Sequence, residues 1–183
     1  SNQHQNKLYL NLGDLKFKDI TVEAGVGGDK AWSTGVSMAD INGDGWLDIY
    51  VCNSGDIHGD NKENELFINN GPAGIKNGAP SFTEKAKTYH LNNQGYSTHA
   101  SFFDYDRDGD LDVFLCNNRY YWPEGRPKAV TSEIRAGKRV ISSTFERYFR
   151  LVPGDPNDVA NWKFEEVARP DQLLRNDNGK YTD

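Results

Sequence analysis

The sequence predicts an all-β chain assembled from four-stranded antiparallel units, and three observations predict it. A nine-residue acidic loop occurs twice. The same short apolar run follows each copy. The elements around the two loops also recur in the same order. Composition agrees: 36% of residues are hydrophobic, 12% are aromatic and 18 are glycine, a mix that suits short strands joined by many turns. At 183 residues the chain is long enough to bury a core as one domain.

The first loop is Asp40-Ile41-Asn42-Gly43-Asp44-Gly45-Trp46-Leu47-Asp48 and the second is Asp104-Tyr105-Asp106-Arg107-Asp108-Gly109-Asp110-Leu111-Asp112. Both read D-x-[DN]-x-D-G-x-x-D. Oxygen-bearing side chains fall at positions 1, 3, 5 and 9, and glycine at position 6. Gly45 and Gly109 permit a sharp turn because they lack Cβ. Two carboxylates about 5 Å apart repel by roughly 3 kcal/mol at an effective dielectric near 20. Four on one tight loop therefore point to a cation between them. Calcium takes six to eight oxygens, so two calcium sites are expected. The ligands would be Asp40, Asn42, Asp44 and Asp48 with the Trp46 carbonyl, and Asp104, Asp106, Asp108 and Asp112 with the Asp110 carbonyl.

These loops are not of the EF-hand kind, which needs a bidentate Glu at position 12. That position holds Val51 or Leu115. The runs that follow, Leu47 to Cys52 and Leu111 to Cys116, are β-branched and aromatic and apolar in both phases. They read as inner strands buried on both faces.

In chain order the repeat is wider than the loops. Trp32-Ser33-Thr34-Gly35-Val36-Ser37 precedes the first loop and Tyr96-Ser97-Thr98-His99-Ala100-Ser101 the second. Asn64-Glu65-Leu66-Phe67-Ile68-Asn69 and Phe82-Thr83-Glu84 follow the first. Asp171-Gln172-Leu173-Leu174-Arg175-Asn176 and Tyr181-Thr182-Asp183 follow the second. Leu8-Tyr9-Leu10-Asn11 and Phe17-Lys18-Asp19 repeat this last pair at the N-terminus. One unit thus has four strands, with the acidic loop joining the first two, which is the pattern of a β-propeller blade. Residues 7–22 make half a blade and residues 32–86 a full one. Residues 96–183 make another, carrying an insertion at about 118–170. Closed propellers usually have four to eight blades. About two and a half cannot close, so a segment of a longer protein is expected, a partial or open propeller. Its uncovered strand edges and blade faces would favour self-association.

The stretches ADINGDGWLDIYVCNSG, NELFINNG, FFDYDRDGDLDVFLCNN and DQLLRNDNGKYTD resemble the FG-GAP/VCBS repeat family, whose calcium-bearing blades also build integrin α-subunit heads. Within that family the chain looks most like bacterial surface or secreted proteins with VCBS repeats. The resemblance implies calcium at the residues named above. Asn42 departs from an all-Asp pattern and removes one charge. The resemblance, and the abundance of calcium outside cells, imply an extracellular, cell-surface or periplasmic location.

Long insertions on a rigid scaffold often carry function. This one opens with Tyr120, Tyr121 and Trp122, which either stack on a sugar or partner or fill a local core. Its middle, Ser132 to Leu151, has mixed helical and strand character and excess positive charge (Arg135, Lys138, Arg139, Arg147, Arg150). Pro153 to Asp158 reads as a turn. The matching link in the first full unit holds Asp56, His58, Asp60 and Glu63, read as a polar surface loop. Cys52 and Cys116 occupy equivalent positions and are expected to be unbonded and buried.

The net charge is −6, which two bound Ca²⁺ would bring to about −2. A nucleic-acid surface would be basic, and no run of 18 apolar residues offers a membrane-spanning helix. The histidines are His4, His58, His90 and His99, none in H-E-x-x-H spacing. His99 is expected to cap or line the calcium end. No G-x-S-x-G elbow or phosphate loop is present. The sequence therefore reads as a non-catalytic binding or adhesion scaffold for protein or glycan. The alternatives are part of a polysaccharide-acting enzyme, or a passive spacer.

Overall fold

The computed structural model describes residues 5–30, 32–54, 63–118, 129–143, 145, 149–155, 158–166 and 171–183. The calls on Asp56, His58, Asp60, Tyr120, Tyr121, Trp122, Arg147 and His4 fall outside these residues. The chain divides into two compact units, residues 1–118 with 170–183, and residues 119–169.

The first unit begins with a hairpin, β1 (Tyr9–Asn11) and β2 (Phe17–Asp19), followed by one helical turn, α1 (Thr21–Ala24). Next come β3 (Ser33–Ala39), β4 (Asp48–Asn53), β5 (Glu65–Asn69) and β6 (Phe82–Glu84). They form an antiparallel sheet in the order β3-β4-β5-β6, here called sheet one. A second helical turn, α2 (Ala86–Tyr89), leads to β7 (Ser97–Phe103) and β8 (Asp112–Asn117). Four strands of the second unit follow, β9 (Ser132–Arg135), β10 (Lys138–Ile141), β11 (Phe149–Asp155) and β12 (Asp158–Glu166). The chain then returns as β13 (Gln172–Asn176) and β14 (Tyr181–Thr182), giving sheet two in the order β14-β13-β8-β7. The expected all-β architecture of four-stranded antiparallel sheets is thus the one observed.

The expectation of an inner strand buried on both faces holds for β4, because both faces of sheet one are covered. It is corrected for β8, where Val113 and Leu115 are buried but Phe114 on the other face is 37% exposed. Ile49 and Val51 of β4 join Phe67, Ile20, Ala24 and Val26 on one side. Tyr50 and Cys52 face the other way, with Leu66, Leu91, Val113, Leu115, Leu174 and Tyr181. Burying side chains of this size contributes roughly 1.5–3 kcal/mol each, so this second cluster holds sheet one against sheet two. The Tyr50 and Phe102 rings meet edge to face with centroids 5.6 Å apart.

A polar seam joins the sheets as well. The Thr34 hydroxyl donates to the Ser97 carbonyl at 2.6 Å and that of Ser37 to the Ala100 carbonyl. The Asn64 amide donates to the Tyr50 hydroxyl and to Ser97 Oγ, each at 2.9 Å. Gly35 lies in this seam, where a Cβ would run into the Thr98 carbonyl oxygen. The Ser-Thr pairs have a local role too. Pairing shifts register between Ser33 and Gly35 and between Ser97 and His99. The preceding aromatics, Trp32 and Tyr96, take left-handed φ values of 62° and 57°.

Cys52 is buried, Cys116 half-buried, and neither is in a disulfide. Burial, with Cys116 adding to it, pushes the Cys52 thiol up to about 12. The expectation that both would be buried holds for Cys52 alone.

The second unit contains two hairpins, β9 with β10 and β11 with β12. The expected mixed helical character of residues 132–151 is corrected, since the elements described there are strands. Ala136 and Gly137 turn the first hairpin with φ of 49° and 77°. The turn expected at Pro153 to Asp158 falls where β11 passes into the antiparallel β12, with Asp155 paired to Asp158. Pro153 to Asp155 themselves belong to β11, with a register irregularity between Pro153 and Asp155.

Candidate metal centre

Each acidic loop joins the first two strands of its sheet, and the two are built alike. The position 1 carboxylate folds the loop over itself. Asp40 accepts the Asp44 N–H at 3.0 Å and the Gly45 N–H at 2.8 Å. Asp104 accepts the Asp108 and Gly109 N–H groups, both at 3.2 Å. At position 5, Asp44 takes the Trp46 N–H and Asp108 the Asp110 N–H, each at 2.9 Å. Gly45 and Gly109 have φ of 88° and 98°, the turn expected of position 6. Position 4 is left-handed as well, at 70° for Gly43 and 65° for Arg107. The sequence offered no hint of this in the second loop, because arginine disfavours it.

In the second loop this wrapping brings Asp104, Asp106 and Asp108 together. All three are exposed, and each has a carboxylate oxygen within 4.8 Å of those of the other two. Calcium–oxygen bonds are about 2.3–2.6 Å, so two ligands of one ion lie at most about 5 Å apart. The donor set therefore fits a calcium ion in both chemistry and spacing. Partial loss of water, then the carboxylates of Asp108, Asp112 and Asp104, hold the Asp106 carboxyl above its ordinary value. In the first loop Asn42 fills the place of Asp106, and its amide donates to Asp44 Oδ2 at 2.9 Å.

Position 9 sits differently from the others. Asp48 and Asp112 are fully buried. Asp48 accepts the Ile41 N–H at 2.9 Å and the Asn69 N–H at 2.8 Å, one on each oxygen. Asp112 does the same with Tyr105 at 2.9 Å and Asn176 at 2.8 Å. These carboxylates tie the start of the loop to the end of the third strand. Burial raises the Asp48 carboxyl above its ordinary value against the pull of its two N–H donors.

The sequence reading missed this role and that of the asparagine closing L-x-x-N. Asn69 Nδ2 donates to the Leu47 carbonyl at 3.2 Å and Asn176 Nδ2 to that of Leu111 at 3.3 Å. The signal was present, since Asp48 and Asp112 begin strands that are apolar on both faces. His99 is corrected: it is exposed and pairs with Cys116. It lies five residues before Asp104, about 16 Å along an extended strand.

A separate polar pocket of about 400 Å³ is lined by Lys30, Glu63, Glu65, Glu84 and Lys87 among others. Its acids have structural partners. Glu65 accepts the Asp29 N–H and the Asn53 amide, both at 3.2 Å. Glu84 accepts the N–H groups of Leu66 at 3.2 Å and Ala86 at 2.8 Å. Glu63 lies 3.5 Å from the Lys87 ammonium and 3.8 Å from that of Lys30.

Residues 1–51, which include the first loop, match the family of FG-GAP-like repeats. That segment is similar to an FG-GAP-like repeat. Cartilage acidic protein 1 of Xenopus tropicalis is 29% identical over 153 residues, 84% of this chain and 21% of that protein. The chain thus spans about a fifth of the length of that curated relative. The matched FG-GAP-like segment runs from the β1–β2 hairpin into β4. Sheet two repeats its loop geometry outside the matched residues. Among the described residues no helix is long and apolar enough to cross a membrane.

Proposed function

We propose that this chain is a calcium-stabilised β-propeller repeat segment of a secreted or cell-surface protein, a non-catalytic scaffold that binds protein or glycan. The observation that carries the proposal is the Asp104, Asp106 and Asp108 triad, whose oxygens approach one another within 4.8 Å. Calcium at the second loop would be held by these three, the Asp110 carbonyl and Asp112. The first loop would use Asp40, Asn42, Asp44, the Trp46 carbonyl and Asp48. The ion supplies positive charge that offsets carboxylate repulsion, so binding couples to the fold of each loop.

An extracellular setting is supported by the FG-GAP-like repeat and by similarity to a protein named for cartilage. A scaffold role fits the polar pocket, whose three glutamates are engaged by backbone, amide and ammonium groups. Glycosidase chemistry needs a carboxylic acid and a carboxylate free to face one sugar bond.

The test is a thermal melt in excess EDTA and again in millimolar Ca²⁺, with Asp108→Ala alongside. A site filled at a hundredfold excess over Kd stabilises by about 2.7 kcal/mol. The expected result is a calcium-dependent rise of several degrees that shrinks in the variant. An unchanged midpoint in the parent chain would overturn the proposal.

A further inference from the structure

An asparagine followed by glycine is chemically vulnerable, because the glycine nitrogen can reach the side-chain amide with no Cβ in the way. Four such pairs occur here: Asn42-Gly43, Asn70-Gly71, Asn77-Gly78 and Asn178-Gly179. Three of them are restrained. The Asn70 amide donates to Ser81 Oγ at 3.1 Å and accepts the Thr83 hydroxyl at 2.8 Å, while the Gly71 N–H donates to Asn69 Oδ1 at 3.0 Å. The Gly179 N–H donates to Asn176 Oδ1 at 2.8 Å. Asn77 sits at a φ of 50° in a two-residue turn, closed by two backbone bonds of 2.9 Å between Lys76 and Ala79. Asn42 differs. It is exposed, and the Gly43 N–H makes no hydrogen bond among the described residues. Open space surrounds Gly43. Asn42 Oδ1 accepts the Asp44 N–H at 3.1 Å, a donor placed on the oxygen where negative charge develops when the amide carbon is attacked.

We propose that Asn42 is a deamidation site whose conversion to aspartate gives the first loop the donor set of the second. The Gly43 nitrogen attacks Asn42 Cγ and gives up its proton. The new N–Cγ bond closes a cyclic imide, the Cγ–Nδ2 bond breaks, and Nδ2 leaves as ammonia. Water then opens the imide. Attack at Cγ gives an aspartate at position 42, and attack at the backbone carbonyl gives isoaspartate. Water enters, ammonia departs, and nothing is oxidised or reduced. The aspartate matches Asp106 of the second loop and replaces the amide that now donates to Asp44. Isoaspartate lengthens the backbone inside the loop and loses the wrapped geometry. Calcium opposes the reaction. An ion bound to Asn42 Oδ1 and its neighbours restrains the backbone rotation that ring closure needs, whereas the empty loop is loosened by carboxylate repulsion. This dependence on calcium rests on the reading given under Proposed function.

The test is peptide mapping by mass spectrometry during incubation at mildly alkaline pH, in EDTA and in millimolar Ca²⁺, with Asn42→Asp as the authentic product. Calorimetry with Ca²⁺ on the parent and on Asn42→Asp accompanies it. In EDTA the Asn42 peptide is expected to gain the amide-to-acid mass several-fold faster than the peptides holding Asn77 and Asn178. Calcium should slow Asn42 and leave Asn77 unmoved. Asn42→Asp should bind calcium several-fold tighter than the parent at one site. Conversion at Asn42 no faster than at Asn77 would overturn the proposal, as would equal calcium affinity in the parent and Asn42→Asp. The two readings fail separately. A parent that takes up no calcium in the calorimeter overturns the calcium reading, whereas a parent that binds calcium but keeps Asn42 intact in EDTA overturns this inference alone.

Discussion

The carboxylate of Asp112 accepts the backbone N–H of Asn176 at 2.8 Å across 64 residues of chain, the same distance at which Asp48 accepts that of Asn69 across 21. The insertion in sheet two leaves this bond in place. The position 9 aspartate therefore fastens the third strand to the loop in both sheets, whatever the length of the intervening chain.

This relationship predicts the effect of Asp112→Asn. The amide offers one acceptor where two N–H groups, those of Tyr105 and Asn176, need one each. A buried donor left unpaired costs about 1–3 kcal/mol. Urea unfolding in EDTA should register that loss with no metal bound, and an unchanged midpoint would show the strap to be dispensable.

Asn42→Asp makes the first loop match the second. It removes the amide bond to Asp44 and adds a like charge. The melting temperature should fall in EDTA and gain more from calcium than in the parent, with tighter binding at one site by calorimetry. Asp106→Asn should act in the opposite sense on the second loop.

Gly35→Ala places a methyl group against the Thr98 carbonyl. Overpacking against backbone costs roughly 1–3 kcal/mol, and equilibrium denaturation should show a loss in that range. The exposed His99→Ala change at the equivalent position of sheet two should leave the midpoint nearly unmoved.

Asp19 makes the N-terminal hairpin sensitive to acid. The Thr21 hydroxyl, the Thr21 N–H and Lys7 lower its carboxyl from 3.8 to about 2. The folded state thus favours the charged form. Its contribution is present above pH 3.8 and lost as pH falls toward 2. Asp19→Asn should melt below the parent at neutral pH, and the gap should close across that acid window. A gap that persists at the acid end would mean that Asp19 acts through packing alone.

The strand order of both sheets was legible because apolar runs, turns and loops recur at matching offsets. Burial on both faces of β4 was legible from Ile49 to Cys52, where neither phase of the alternation is polar. Less could be read where a residue acts against its usual preference. Trp32, Tyr96 and Arg107 hold left-handed backbone, which bulky side chains disfavour. The backbone strap made by Asp48 and Asp112 was not legible, because spacing records side-chain type and not burial. The hairpins of the second unit were blurred because positive charge interrupts their alternation.

The insertion also sets a timetable for synthesis. When β8 leaves the ribosome, its partner β13 is still about 55 residues away, roughly 3–11 s at 5–20 residues per second. Sheet one needs no such wait between β4 and β5. A nascent chain would thus carry a finished first sheet beside an open β8 edge for seconds, an interval in which a holding chaperone would have most to do.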